Sequence, residues 1–126
     1  MKFGRILLVD DDRVARRLNS TMLVCSGFRV DEVENGAQGW DLLQNGPYDL
    51  LITDNSMPLM TGVEMIKLLR DRNMRLPIIM ATGAIPTEEL SRHPRLRISA
   101  IMVKPFTLLE LLQTVKEVLR LDGFRD

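Results

Sequence analysis

The stretch Ile6-Leu7-Leu8-Val9-Asp10-Asp11-Asp12 decides the fold. An apolar run of strand length stops at three consecutive carboxylates. Charges placed together at the end of a buried strand repel: two of them ~5 Å apart at an effective dielectric of ~20 cost about 3 kcal/mol. Such strain points to a cation or to a chemical use. The pattern recurs at Leu50-Leu51-Ile52-Thr53-Asp54, a second apolar run ending on an aspartate.

Three further runs read as strands, at 29–33, 77–81 and 100–103, beside 6–9 and 50–53. Four of the five are nearly continuous apolar stretches, the mark of a parallel sheet covered on both faces. The run Arg29-Val30-Asp31-Glu32-Val33 alternates instead and suits an edge. Helical segments lie between them. Val14, Leu18, Met22 and Cys25 recur at helical spacing and predict one core-facing stripe, with Cys25 a packed thiol. Asn35…Gln38, Thr61…Glu64 and Thr107…Glu110 have the spacing of capping boxes. Leu108, Leu111, Leu112, Val115, Val118 and Leu119 give the last helix its stripe. The fourth helix, near Thr87–Arg92, is short and runs into His93-Pro94. Repeated strand–helix alternation predicts a doubly wound α/β domain with helices on both faces of a parallel sheet.

At 126 residues, 45% of them apolar and 27% charged, the chain fits one domain spanning 1–126. Zero net charge gives no electrostatic reason to expect binding to nucleic acid or an anionic membrane. The single cysteine excludes an internal disulfide and is compatible with a reducing compartment. No stretch approaches the ~20 apolar residues needed to span a bilayer, and the N-terminus enters a strand at once. The expectation is a cytoplasmic domain.

In open α/β sheets function gathers at the carboxyl ends of the strands. There the chain places Asp10-Asp11-Asp12, Asp54, Thr82-Gly83 and Lys104-Pro105. Carboxylate oxygens suit Mg²⁺, a hard ion that bridges readily to phosphate. A hydroxyl and an ammonium serve a phosphoryl group, and a carboxylate can attack phosphorus. The set reads as metal-assisted phosphoryl transfer onto an aspartate. Each residue also has a plainer use: Asp12 as a helix cap, Asp54 in a turn, Thr82 at a loop start, Lys104 as an exposed residue before proline. All of these would have to hold together at one sheet edge.

These motifs carry a resemblance over essentially the whole chain. Val9-Asp10-Asp11, Asp54 with Met57-Pro58 and Gly62, Thr82-Gly83, and Lys104-Pro105-Phe106 together resemble the receiver domain of two-component response regulators, of the chemotaxis-regulator type. The resemblance implies a flavodoxin-like sheet in strand order 2-1-3-4-5 and a cis Lys104–Pro105 bond. It implies Asp54 as phosphoacceptor, with Mg²⁺ bound by the side chains of Asp11 and Asp54 and the backbone carbonyl of Ser56, and by Asp10 mainly through water. Lys104 and Thr82 would contact phosphoryl oxygens. The implied donor is a histidine kinase or phosphotransfer protein; the output partner is unknown. No output domain or DNA-binding segment is expected after the last helix, and no turnover on other substrates beyond self-phosphorylation and self-dephosphorylation.

The chain departs from the family in three places. Ile101, three residues before Lys104, stands where many receivers carry Tyr or Phe. The segment His93-Pro94-Arg95-Leu96-Arg97 adds proline and positive charge near the family's usual output face of fourth helix, fifth strand and last helix. Ser56 and Ala84 occupy the two positions whose side chains flank the hydrolytic water in receivers. Two other functions compete. A haloacid-dehalogenase-like phosphohydrolase would carry a second Asp where Ser56 stands. A flavodoxin-like cofactor binder would want a Ser/Thr/Gly loop after the first strand, where three aspartates would repel a phosphate.

Overall fold

A computed structural model describes residues 4–121. Five strands alternate with five helices: β1 (Arg5–Val9), α1 (Arg13–Cys25), β2 (Arg29–Val33), α2 (Gly36–Asn45), β3 (Leu50–Thr53), α3 (Gly62–Asp71), β4 (Ile78–Thr82), α4 (Thr87–Arg92), β5 (Ala100–Val103) and α5 (Leu108–Leu121), with one 3-10 turn at Pro94–Leu96. All strands are parallel, in the order β2-β1-β3-β4-β5. The expected sheet order is therefore present. The stretch after Leu121 lies outside the described residues. Among those described, no helix is long and apolar enough to cross a membrane.

Strand alternation divides the core in two. Ile6 and Leu8 point toward Leu23 of α1 and Leu111 and Val115 of α5. Leu7 and Val9 point the other way, toward Leu43 of α2 and Val63 and Ile66 of α3. With both faces covered, β1 after Arg5, and β3 and β4 up to their closing threonines, are continuous apolar runs.

Strand β5 departs from that expectation. Last in the sheet, it half-buries Ala100 and Met102 against the core and leaves Ile101 41% and Val103 50% exposed. The first helix corrects a second expectation. Val14 is 70% exposed, Leu18 55%, and Cys25 also faces out; the buried residues are Asn19, Ser20 and Leu23. The docked face lies one residue, about 100°, round from the apolar stripe, because short polar side chains take the places nearest the sheet. Leu18 instead lines a cavity of about 450 Å³ with Phe106 and Leu108.

Caps fix where the helices begin. Asp12 accepts from the amides of Val14 and Ala15. Thr61–Glu64 and Thr107–Glu110 form full reciprocal boxes. At α2 the Gln38 side chain reaches the amide of Glu34 rather than that of Asn35.

Leu59, in the loop before α3, has φ 70° and is 83% exposed. A left-handed backbone costs a residue with a Cβ roughly 1–2 kcal/mol, and here no buried contact repays it. Leu59→Gly is expected to raise the unfolding free energy by about 0.5–1 kcal/mol, after subtracting glycine's extra unfolded-state entropy. A urea titration reads this directly, and an unchanged midpoint would mean that the loop stores no strain.

Candidate active site at the carboxyl edge of the sheet

Register places the polar residues side by side. Val9 pairs with Thr53 and Val33, and Thr82 with Val103. The next residues, Asp10 and Asp54, therefore leave neighbouring central strands together. Their amides donate to the carbonyls of Val33 and Val9. Lys104 leaves β5 beside Thr82, its amide donating to the Thr82 carbonyl at 2.9 Å.

The Lys104 ammonium donates to Asp10 Oδ2 at 2.8 Å and to Asp54 Oδ2 at 2.9 Å. Asp10 and Asp54 are buried, at 3% and 8% exposure, whereas Asp11 is exposed. One oxygen from each of the three carboxylates lies within 4.8 Å of the others. Burial pulls the lysine pKa down, and this is the largest single effect; the hydrogen bonds and charges of Asp10 and Asp54 together outweigh it and hold the pKa above its ordinary value. Lys104–Pro105 is cis.

The remaining donors and acceptors are local. Asp10 Oδ1 accepts from the Asp12 amide at 2.9 Å, and Asp54 Oδ1 from the Asn55 amide at 2.6 Å. Thr82 belongs to β4 as its last residue and is buried. Its hydroxyl donates to the Ala84 carbonyl at 3.1 Å. Ser56 and Ala84 are both exposed beside this edge. The six residues singled out from sequence thus divide: Asp10, Asp11, Asp54 and Lys104 form one cluster, Thr82 is tied to its own loop, and Ser56 lies in the loop after Asp54.

Several supporting residues escaped sequence reasoning. Arg16 donates from Nη1 to the Asp10 carbonyl at 2.9 Å and from Nε to Glu32 Oε1 at 3.0 Å. It ties α1 to the ends of β1 and β2 and places positive charge behind the acidic run. The only sequence signal was its position one turn after the Asp12 cap. Asn55 clamps the following loop, its side chain accepting from the Val63 amide and its carbonyl from that of Gly62. Gly62, already part of the motif quoted from the sequence, packs against the Asp54 backbone, so a Cβ there would run into the Asp54 carbonyl. The Thr53 hydroxyl donates to that same carbonyl at 2.7 Å.

An all-oxygen set of three clustered carboxylates fits a hard divalent ion. The pairing of a buried carboxylate with a fixed ammonium fits a site where an anion is received beside a metal.

Comparison with known proteins agrees with this geometry. The family model of the response regulator receiver domain matches residues 6–116. The transcriptional regulatory protein CusR of Escherichia coli K12 is 33% identical over 116 residues, covering 92% of this chain and 51% of CusR. The chain thus spans about half the length of such curated relatives. The chemotaxis protein CheY of Pseudomonas aeruginosa is 30% identical over 117 residues, covering 90% of this chain and 94% of CheY. Among solved structures, a CheY-like receiver domain protein from Methanospirillum hungatei superposes with a TM-score of 0.90 at 25% identity, covering 97% of this chain and 98% of that one. The response regulator TrrA of Thermotoga maritima, solved in complex with Mg²⁺ and BeF, gives 0.80 at 31% identity, covering 94% and 99%. Proteins of this kind act in two-component signalling. The chain belongs to the response regulator receiver domain family.

Proposed function

We propose that the chain accepts a phosphoryl group on Asp54 and changes its affinity for a partner as a result. The observation that carries this reading is Lys104 bonded at once to Asp10 and Asp54, with Asp11 in the same cluster. The donor is a phosphohistidine of a histidine kinase or phosphotransfer protein. An Asp54 carboxylate oxygen attacks phosphorus, the phosphorus–nitrogen bond breaks, and its electron pair returns to the imidazole. The product is an acyl phosphate.

Asp11, Asp54 and the Ser56 carbonyl would hold Mg²⁺, with Asp10 acting through water. When bound, the ion would supply neutralisation of the negative charge gathered at this site. Lys104 has a second task in this scheme. It keeps two carboxylates in place before the phosphoryl group arrives, then turns its charge to a phosphoryl oxygen. The Thr82 hydroxyl must leave the Ala84 carbonyl to donate to the same group, so phosphorylation pulls on the loop after β4. Ile101 offers no ring to follow that movement.

Incubation with Mg²⁺ and acetyl phosphate, read by intact mass, tests the reading. One added phosphoryl group is expected, and an unmodified mass under conditions that label a known receiver would overturn it.

The lifetime of the acyl phosphate follows from the flanking side chains. Hydrolysis needs a water in line with the breaking bond, and positioning such a water lowers the barrier by restricting its freedom. Ser56 offers only a short hydroxyl, and Ala84 neither acid nor amide. Ser56→Asn combined with Ala84→Glu is expected to speed loss of phosphate by about tenfold or more, equal to about 1.4 kcal/mol. The decay of the phosphorylated mass measures it; identical decay of parent and variant would place control elsewhere.

A further inference from the structure

The opposite edge of the sheet, where β4 and β5 begin, carries charge that the acidic site does not use. Arg70, Arg75, Arg97 and Ser99 line, with Pro77, a cavity of about 290 Å³. No carboxylate is among those residues. Arg95, on the same side, is paired with Asp71 at 2.7 Å. Arg75 and Arg97 have no ion pair or side-chain hydrogen bond among the described residues.

Arg70 is the immobile member of the group. It donates from Nε to the Leu96 carbonyl, from Nη1 to those of Met74 and Leu76, and from Nη2 to that of Arg97, at 2.8 to 3.1 Å. These bonds join the loop before β4 to the loop before β5. They also hold a half-buried cation that burial, and then the nearby Arg97 charge, pull below its ordinary pKa. Arg97 sits at φ 50°, a conformation unfavourable for any residue with a Cβ. Ser99 Oγ accepts from the Ile78 amide at 3.3 Å, which leaves its proton to donate.

We propose that this pocket is a binding site for a phosphate-class oxyanion, either free phosphate or the phosphate of a monoester. Arg75 and Arg97 present two uncommitted guanidinium forks, the geometry that receives oxyanions in pairs of hydrogen bonds. The Ser99 hydroxyl adds a donor and Arg70 a fixed charge behind them. A carboxylate has only two oxygens to offer this set; a tetrahedral phosphate can engage both forks and the hydroxyl. The site shares no residue with the acidic cluster, so it stands whether or not Asp54 is phosphorylated.

Amide chemical shifts of the full chain, titrated with sodium phosphate and separately with sodium chloride at equal ionic strength, test the proposal. Saturable shifts at Arg75, Arg97 and Ser99 are expected with phosphate alone. Arg75→Gln combined with Arg97→Gly should weaken binding at least tenfold while the melting temperature does not fall, since neither side chain has a partner to lose among the described residues and glycine relieves the left-handed backbone at position 97. Should the pair fail to fold, Arg75→Gln alone is expected to weaken binding severalfold. A nucleoside 5′-monophosphate identifies the source: tighter binding than phosphate with the same shifts assigns a monoester, equal binding assigns the free ion. Shifts confined to the Lys104 edge, equal shifts with chloride, or undiminished binding by the variants would overturn the proposal.

Discussion

Asp54→Asn is expected to take up no phosphoryl group from acetyl phosphate, while folding as well as the parent. The amide lacks the charge and the nucleophilic lone pairs that attack phosphorus, and it is a poorer ligand for a hard ion. The shape of the site is kept. Asn retains an oxygen for the Asn55 amide, from which Asp54 Oδ1 now accepts at 2.6 Å; its NH2 replaces the Oδ2 that Lys104 meets at 2.9 Å, a lost bond offset by the relief of carboxylate repulsion. Lys104 keeps its bond to Asp10 at 2.8 Å, and one source of carboxylate repulsion is gone. Loss of labelling without loss of stability therefore separates a chemical role from a structural one. Intact mass gives the labelling and thermal unfolding the stability. Full labelling of the variant would move the acceptor to a neighbour, with Asp11 the exposed carboxylate of the cluster.

Much of this site was legible in the sequence because a parallel sheet writes itself plainly. Strands covered on both faces must be apolar throughout, so the polar residue that ends each one stands out, and parallel register then brings those ends together. Val9 against Thr53 is enough to set Asp10 beside Asp54. What stayed hidden depends on partners that local pattern does not name. The face that α1 turns inward is chosen by how closely Asn19 and Ser20 approach the sheet, so the Val14–Leu18 stripe pointed to the wrong side and Cys25 lies exposed. An apolar run such as 100–103 reads as a central strand, yet β5 has one neighbour and shows Ile101 and Val103 to solvent. Arg16 and Asn55 hold the site through bonds to backbone, and no motif marks a side chain that works in that way. Nor does order along the chain reveal that Thr82 spends its hydroxyl on Ala84.

Lys104→Met is expected to cost about 3 kcal/mol of stability in chelator, and Mg²⁺ is expected to return most of it. The ammonium bridges two carboxylates whose side chains are only 5% and 11% exposed. Removing one partner of such a buried arrangement leaves uncompensated charge and typically costs about 3–5 kcal/mol; the 25% exposure of the lysine side chain puts this case at the lower end. Met preserves the apolar stem beside Pro105 and Phe106, so lost packing contributes little. A divalent ion bound by the same carboxylates would supply the missing charge. Because it binds the folded state alone, it would add RT ln(1 + [Mg²⁺]/Kd), about 2.7 kcal/mol at one hundred times Kd. The variant should also gain more from the ion than the parent does, since in the parent Lys104 already neutralises part of the cluster that the metal would enter. Urea unfolding of both proteins, with EDTA and with millimolar Mg²⁺, gives the four free energies needed. A variant as stable as the parent in EDTA would show that the carboxylates do not depend on Lys104. An equal Mg²⁺ gain in both proteins would show that ammonium and metal ion do not share the same charges.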